Sequence, residues 1–155
     1  MNKLKTCLWF DGQAEDAARF YTSVFENSKI LNIQRYPKAG SEIHGNSEGS
    51  VMLVEFEIND QTFIALNGGP HFKINEAVSF VVSCADQKEL DEVWSKLSHH
   101  PDSEQCGWLK DRFGVSWQIV PETLAELMEE SDRAERVMAA LLKMKKLDIQ
   151  TLENA

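Results

Sequence analysis

The sequence predicts an α+β fold in which a strand–helix–strand unit occurs twice before a helical tail. A short apolar strand leads into an amphipathic helix within residues 4–25, and the same order begins again within residues 77–97. Beyond residue 122 the apolar positions recur at helical spacing. We therefore expect one structural domain overall, with a first module at residues 1–70, a second at 71–121 and helices at 122–155.

The first module begins with a predicted strand at residues 4–10, which Asp11 and Gly12 close. A helix is expected at residues 13–25, because Ala14, Ala17, Ala18, Tyr21 and Phe25 form one apolar stripe. The rest of the module is predicted as a strand at 28–36, a loop at 37–49 and a hairpin of strands 51–58 and 62–66.

The second module is predicted to contain a strand at residues 77–84 and a helix at 87–97. A hairpin of strands 106–110 and 115–120 follows. Asp111 and Gly114 suit its turn, because Asp accepts backbone hydrogen bonds and Gly accommodates a positive φ. Pro121 then ends the strand, since proline has no N–H to donate.

Side chains alternate along the last strand of this hairpin. Val115, Trp117 and Ile119 should face a helix, whereas Ser116 and Gln118 point to the opposite side. That polar side is where a ligand would find hydroxyl and amide groups.

The composition argues against a nucleic-acid-binding protein and against a membrane protein. The chain has 155 residues, 43% of them hydrophobic, and a net charge of −9. This charge argues against nucleic-acid binding, which needs a basic face. We also expect no membrane partner, because no apolar run is long enough to span a bilayer and the N-terminus lacks a signal-peptide core.

Three cysteines, Cys7, Cys84 and Cys106, are widely spaced and form no Cys-x-x-Cys pair. This usage indicates a reducing cytoplasm, with the thiols acting as small core residues. Cys7 and Cys84 are expected to point toward the helices and to be chemically inert. Trp9, Trp94 and Trp117 are also expected in helix-facing core positions.

Four stretches carry a family resemblance: residues 7–21, the Gly68-Gly69-Pro70 sequence, residues 77–80 and residues 106–121. They resemble the PhnB-like branch of the vicinal oxygen chelate superfamily, which includes glyoxalase, bleomycin-resistance and extradiol dioxygenase proteins. The branch is also described as demethylubiquinone methyltransferase-like. The resemblance runs from residue 4 to about residue 152. It implies two βαβββ modules with curved mixed sheets, each holding a cavity on its concave side, usually in a homodimer.

The resemblance also suggests that the usual metal site is absent. Catalytic members of the superfamily hold a divalent metal on the first and last strands of each module, commonly with His and Glu. The resemblance places Thr6, Ser79 and Gln118 at three of these positions, and residues 63–66 offer no His, Asp or Glu at the remaining one. Hydroxyl and amide groups are poor ligands for such metals. We therefore expect no metal and no cofactor.

The same correspondence would bring Thr6, Ser79 and Gln118 together on one concave face as part of a small-molecule pocket. The full set of candidate pocket residues is Thr6, Leu8, Phe10, Ser79, Val81, Ser83, Trp108, Ser116 and Gln118. A second interpretation carries equal weight: these groups pair with one another and with water in a cavity that has lost its ligand.

Other candidates have weaker support. The adjacent pair His99 and His100 could hold a metal, but a solvated loop is the favoured interpretation. Glu55 and Glu57 could act as acid and base if they were buried, but a solvated strand face is favoured for them.

Two functions stay open, with a third behind them. We favour a binding module that captures a small molecule without turnover. The alternative is a small-molecule enzyme with an unusual or absent metal. The third is a structural or interaction protein, for which the helical tail from residue 122 would be the contact surface. Because this tail is amphipathic, we expect it to cover either its own sheet or a partner subunit. Methyl transfer has no support in the residues, because the glycine-rich turn of a doubly wound sheet is missing.

Overall fold

A four-stranded mixed sheet with one long helix forms the first of two compact units, which ends at Ile74. The computed structural model describes residues 4–155. The elements of the first unit are β1 (Thr6–Phe10), α1 (Ala14–Val24), β2 (Ser28–Arg35), α2 (Ser41–His44), β3 (Val51–Ile58) and β4 (Gln61–Asn67). The strands lie in the order β1-β4-β3-β2, with β1 parallel to β4 and the other pairs antiparallel.

The predicted apolar stripe of α1 packs on one face of this sheet. Tyr21 stacks on Phe56 with ring centroids 6.0 Å apart, and Phe56 stacks on Phe63 at 5.4 Å. At the start of the helix the buried Asn67 side chain accepts a hydrogen bond from the Ala14 N–H at 2.9 Å. The Asn67 side chain therefore fixes the end of β4 against the first turn of α1.

The loop expected at residues 37–49 contains a short helix that the sequence analysis missed. The helix α2 lies between Gly40 and Gly45, both of which have positive φ. The His44 ring stacks on Tyr36 with centroids 4.4 Å apart, so this segment packs onto the end of β2. Its glycines indicated a loop, and the four intervening residues gave too short a pattern to predict a helix.

The second unit begins at Asn75 and contains a three-stranded sheet. Its elements are β5 (Ser79–Cys84), α3 (Gln87–Leu97), β6 (Trp108–Lys110), β7 (Ser116–Pro121), α4 (Leu124–Leu127), α5 (Ser131–Leu141) and α6 (Ile149–Glu153). The strand order is β5-β7-β6, with β5 parallel to β7 and β6 antiparallel to it.

The α+β class is confirmed, but the second module has one strand fewer than the βαβββ pattern. In the first unit β2 follows α1, whereas in the second unit the chain between α3 and β6 forms a 3-10 turn at Pro101–Ser103. Pro101 cannot donate to a ladder, and Ser103 uses its hydroxyl to accept from the Lys110 N–H at 3.0 Å. This short segment covers the outer edge of β6 in place of a fourth strand.

The turn between β6 and β7 is organised by the fully buried side chain of Asp111. Its Oδ1 accepts from the backbone N–H groups of Phe113 at 2.8 Å and Val115 at 3.1 Å. Its Oδ2 accepts from the indole N–H of Trp117 at 2.8 Å. The turn predicted from Asp111 and Gly114 is confirmed, and Gly114 has the expected positive φ of 84°.

The helical tail packs onto its own unit. The Gln87 side chain at the start of α3 donates to the Leu147 carbonyl at 3.1 Å and accepts from the Ile149 N–H at 2.8 Å. Lys146 forms an ion pair with Asp91 of α3 at 2.6 Å, and the Leu147 side chain is fully buried. Of the two surfaces that the tail could cover, residues 146–149 therefore pack against their own unit.

The last helix begins with a side-chain cap. The Asp148 carboxylate accepts from the Thr151 N–H at 2.8 Å, and this hydrogen bond holds the pKa of Asp148 below its usual value. Among residues 4–155, none of the helices combines the length and apolar composition needed to cross a bilayer.

Candidate ligand-binding face

The side of the second sheet that faces away from α3 carries most of the candidate pocket residues. Ser79, Ser116 and Lys110 lie in one row across β5, β7 and β6. The next row contains Val81, Gln118 and Trp108. Since partners in one row point to the same side of a sheet, these six side chains share one surface, which we call the open face. Ser83 lies on the same side, two residues beyond Val81 along β5.

The opposite side of this sheet is the covered one. Trp117 and Ile119 of β7 are buried there, together with Leu90 and Leu97 of α3. The alternation read from the sequence of the last strand is therefore confirmed. It leaves Ser116 and Gln118 on the open face.

Hydrogen bonding on the open face is incomplete. The Gln118 Nε2 donates to the Ser79 Oγ at 2.9 Å. The Ser116 side chain is only 1% exposed, yet its hydroxyl has no hydrogen-bond partner. A buried hydroxyl without a partner is costly, and a ligand or water molecule would satisfy it. Beside these polar groups Val81 is 58% exposed, which adds an apolar surface.

The structure corrects the predicted orientation of the first strand. Thr6, Leu8 and Phe10 lie in the same rows as Phe63, Ala65 and Asn67 of β4. That is the side of the first sheet on which α1 packs, and Leu8 and Phe10 are buried there. These three residues therefore belong to the helix-covered side and do not line the open side of their sheet.

Cys7 and Trp9 lie on the other side of the first sheet, away from α1. Both were expected in helix-facing core positions, but Cys7 is exposed and Trp9 is half-buried on the open side of the first sheet. The Trp9 indole donates to the Gly69 carbonyl at 2.8 Å, and its ring meets the edge of Phe72 at 4.8 Å. A Cβ on Gly68 would lie 2.1 Å from the Trp9 ring, so Gly68 is needed for this close packing.

The other two cysteines differ in their surroundings. Cys84 is fully buried, and desolvation, with smaller effects from Glu89, Glu122 and Asp86, raises its pKa to about 11. It is therefore the inert core thiol that the sequence predicted. Cys106 is partly exposed and has a φ of 53°, with its N–H donating to the Met144 carbonyl at 2.8 Å. Partial burial also raises the pKa of Cys7.

The carboxylates of β3 form ion pairs on the open side of the first sheet. Glu55 pairs with Lys5, and Glu57 pairs with Lys29 at 3.1 Å. The two glutamate side chains are 23% and 21% exposed, so they are more covered than the solvated face predicted for them. In both pairs a lysine ammonium neutralises the charge of the carboxylate.

The residues present do not fit the metal of the superfamily. Thr6 lies on the helix-covered side of its sheet, and Ser79 and Gln118 offer a hydroxyl and an amide that already bond to each other. Within residues 4–155 there is no group of three or more His, Cys, Asp or Glu side chains that could hold a metal ion. The His99 and His100 rings meet edge to face at 5.1 Å in the loop before Pro101–Ser103.

Two charged residues were missed by the sequence analysis: Lys110, which lies on the open face, and Glu76, which borders it. Lys110 forms an ion pair with Glu76, and its ammonium holds the pKa of Glu76 below the usual value. The pair also borders a cleft of about 520 Å³, which His100, Asp102, Ser103 and Gly114 help to line. The alternation of Trp108 and Lys110 along β6 was a signal that could have placed Lys110 on this face.

A sequence profile and a solved structure both relate this chain to the same protein family. Residues 2–120 match the sequence profile of the family described as 3-demethylubiquinone-9 3-methyltransferase. A PhnB protein from Bacillus cereus is 36% identical, with a TM-score of 0.63, and the match covers 77% of this chain and 99% of that one.

A second solved structure supports the fold alone. A protein from Pseudomonas aeruginosa is 15% identical, with a TM-score of 0.58 over 78% of this chain and 98% of that one. Among curated proteins, no significant match was found.

Proposed function

This chain belongs to the PhnB-like branch of the vicinal oxygen chelate superfamily, and we propose that it binds a small, partly polar molecule on the open face of its second sheet. The supporting observation is the unpartnered, buried hydroxyl of Ser116 beside the Gln118–Ser79 hydrogen bond. Trp108 and the exposed Val81 in the next row would contact the apolar part of the molecule. Polar groups next to an apolar surface are typical of small-molecule sites.

The proposed binding does not use the metal of the superfamily. A divalent metal in such proteins acts as a Lewis acid on two substrate oxygens. Here the donors at the corresponding places are a hydroxyl and an amide, which favour hydrogen bonding to a neutral or charged organic group. The role of these residues in the proposal is to bind and orient the ligand.

Binding without turnover is favoured over catalysis. A general base works best with a pKa near the working pH. The carboxylate that borders the open face belongs to Glu76. Its hydrogen bond with Lys110 lowers its pKa and so moves it further from neutral pH. Methyl transfer is not proposed, because neither sheet has the parallel, doubly wound strand order of the usual methyl-donor site.

The test is a thermal-shift screen with neutral and charged small aromatic and aliphatic compounds, followed by calorimetric titration of each compound that stabilises the protein. A ligand that binds only the native state raises the melting temperature in a saturable manner. The variant Gln118→Leu removes the amide at similar volume and should abolish the shift. The variant Gln61→Leu is the matched control, because Gln61 is exposed at the start of β4 in the other unit.

Two results would count against this proposal. One is a complete screen in which no compound stabilises the wild-type protein. The other is a ligand that binds Gln118→Leu and the wild type with equal affinity, which would place its site elsewhere.

The proposal includes a homodimer in the cytoplasm, as the family resemblance implies. Met138 in α5 and Leu142, which directly follows this helix, are 40% and 58% exposed and offer an apolar surface that a second copy of the chain would cover. Sedimentation equilibrium measures the association directly. A monomer at all concentrations would remove the dimer from the proposal without affecting the ligand site.

A further inference from the structure

Lys110, on the open face, forms an ion pair with the carboxylate of Glu76. Lys110 lies in the same row as Ser116 and Ser79, so its ammonium belongs to the surface that carries the unpartnered hydroxyl. The carboxylate it holds comes from Glu76, which precedes β5 and lies outside every strand and helix. The ion pair therefore joins the open face to a segment with no backbone ladder to fix it.

The two partners differ in exposure. The Lys110 side chain is 26% exposed, whereas the Glu76 side chain is 60% exposed. A solvent-exposed carboxylate gains little from such a pair, because water screens the attraction and the long side chain loses freedom. Glu76 can therefore be exchanged for another anion at small cost, while Lys110 stays in place on its strand.

We propose that the ligand of the open face is a small monocarboxylate whose carboxylate takes the place of Glu76 on Lys110. This inference rests on the proposed function and names the chemical class of its ligand. In the row next to Lys110, the Trp108 ring and the exposed Val81 would contact an apolar or aromatic body, and the hydroxyl of Ser116 would donate to the carboxylate.

The charges around the cleft favour a single negative charge over two. The cleft of about 520 Å³ beside the ion pair is lined by Glu76 and Lys110, and also by His100 and Asp102. Replacing the Glu76 carboxylate with one ligand carboxylate leaves the balance at Lys110 unchanged. A dianion such as phosphate would add a second negative charge to a cleft that Asp102 also lines, and like charges repel.

The experiment compares benzoate with its neutral analogue benzamide and with inorganic phosphate. Binding is followed by NMR through the backbone amide signals of Ser79, Ser116 and Gln118 in the full-length protein. Benzoate should shift these signals saturably, benzamide should bind more weakly, and phosphate should leave them in place. The three probes separate a charge requirement from a general preference for aromatic compounds.

Two variants test the roles of the ion pair. Lys110→Met keeps the aliphatic stem and removes the charge, so it should weaken benzoate binding roughly tenfold or more. Glu76→Gln removes the competing carboxylate and should strengthen it roughly two- to fivefold. Lys29→Met is the matched control, because Lys29 forms a similar ion pair with Glu57 in the other unit. Thermal melts of all three confirm that they are folded.

The outcomes separate this inference from the proposed function. If benzamide and benzoate shift the same signals with equal affinity, the site binds small molecules but the carboxylate inference is wrong. The same holds if Lys110→Met binds benzoate as well as the wild type does. If benzoate leaves the open face unperturbed even in Glu76→Gln, the inference fails, and the broader ligand screen decides the proposed function by itself.

Discussion

Replacing Asp111 with alanine should destabilise the second unit more than any surface substitution. The Asp111 side chain is fully buried and accepts three hydrogen bonds, from the N–H groups of Phe113 and Val115 and from the indole of Trp117. Alanine fills none of these roles. The three donors would be left in a buried turn that water reaches poorly.

The size of the effect follows from these contacts. A buried donor left without its partner costs about 1–3 kcal/mol. Three donors, relieved in part by relaxation of the turn, give a loss of about 3–6 kcal/mol in the free energy of unfolding. This is a large share of the roughly 5–15 kcal/mol that stabilises a typical protein. Urea unfolding followed by tryptophan fluorescence measures the change, and Trp117 itself lies at the altered turn.

Two further variants make the test specific. Asp111→Asn keeps one acceptor oxygen but turns an NH₂ group toward the Trp117 indole N–H or toward the turn, so it should cost about 1–3 kcal/mol. Asp11→Ala removes an exposed turn aspartate from the first unit and should change stability by less than about 0.5 kcal/mol. If Asp111→Ala lies within about 1 kcal/mol of the wild type, the turn does not depend on this carboxylate and the argument is wrong.

Three shorter predictions concern other parts of the chain. Iodoacetamide at pH 8 should modify Cys7 before Cys84, whose pKa of about 11 leaves roughly one thiol in a thousand ionised; mass spectrometry that finds equal labelling would contradict this. Gly68→Ala should cost about 1–3 kcal/mol and alter the fluorescence of Trp9, because the new methyl group would overlap the indole; an unchanged melting curve and spectrum would refute this contact. The pKa of Asp148 is lowered in the folded state, so its cap stabilises α6 above the ordinary aspartate pKa and is lost as the pH falls through the folded value. The protection of the α6 amides, measured as their hydrogen-exchange rate relative to the intrinsic rate at the same pH, should therefore fall as the pH drops through the folded value, and Asp148→Ala should lack this pH dependence.

The parts of the fold that the sequence predicted are those with one clear periodicity. The helices α1 and α3 each place apolar residues on one stripe, and the structure puts α3 at Gln87–Leu97, as predicted. The strand β7 alternates polar and apolar residues, so its sequence alone assigns its two faces. In these elements the side chains themselves indicate which face is covered.

The strand β1 carried no such information. Its residues Cys7, Leu8, Trp9 and Phe10 are all apolar, and an unbroken apolar run is compatible with either orientation of a strand. The register with β4 determines the orientation, together with the hydrogen bond from the first turn of α1 to Asn67. Both are contacts between residues more than 50 positions apart, which periodicity within one strand cannot reveal.

The same reasoning explains why the candidate site belongs to the second unit. A family resemblance matches positions along the chain. It matched Thr6 to a ligand position, but it did not show to which side of the sheet the Thr6 side chain points. At Ser79 and Gln118 that check exists, because the alternation of β7 fixes Gln118 and the pairing of β5 with β7 places Val81 beside it. Lys110 follows from the same row pattern once β6 is known to pair with β7. The ligand-binding proposal therefore depends on Ser116 and Gln118, whose orientation is supported by both the pattern of β7 and the register of the sheet, and on neighbours that the register places beside them.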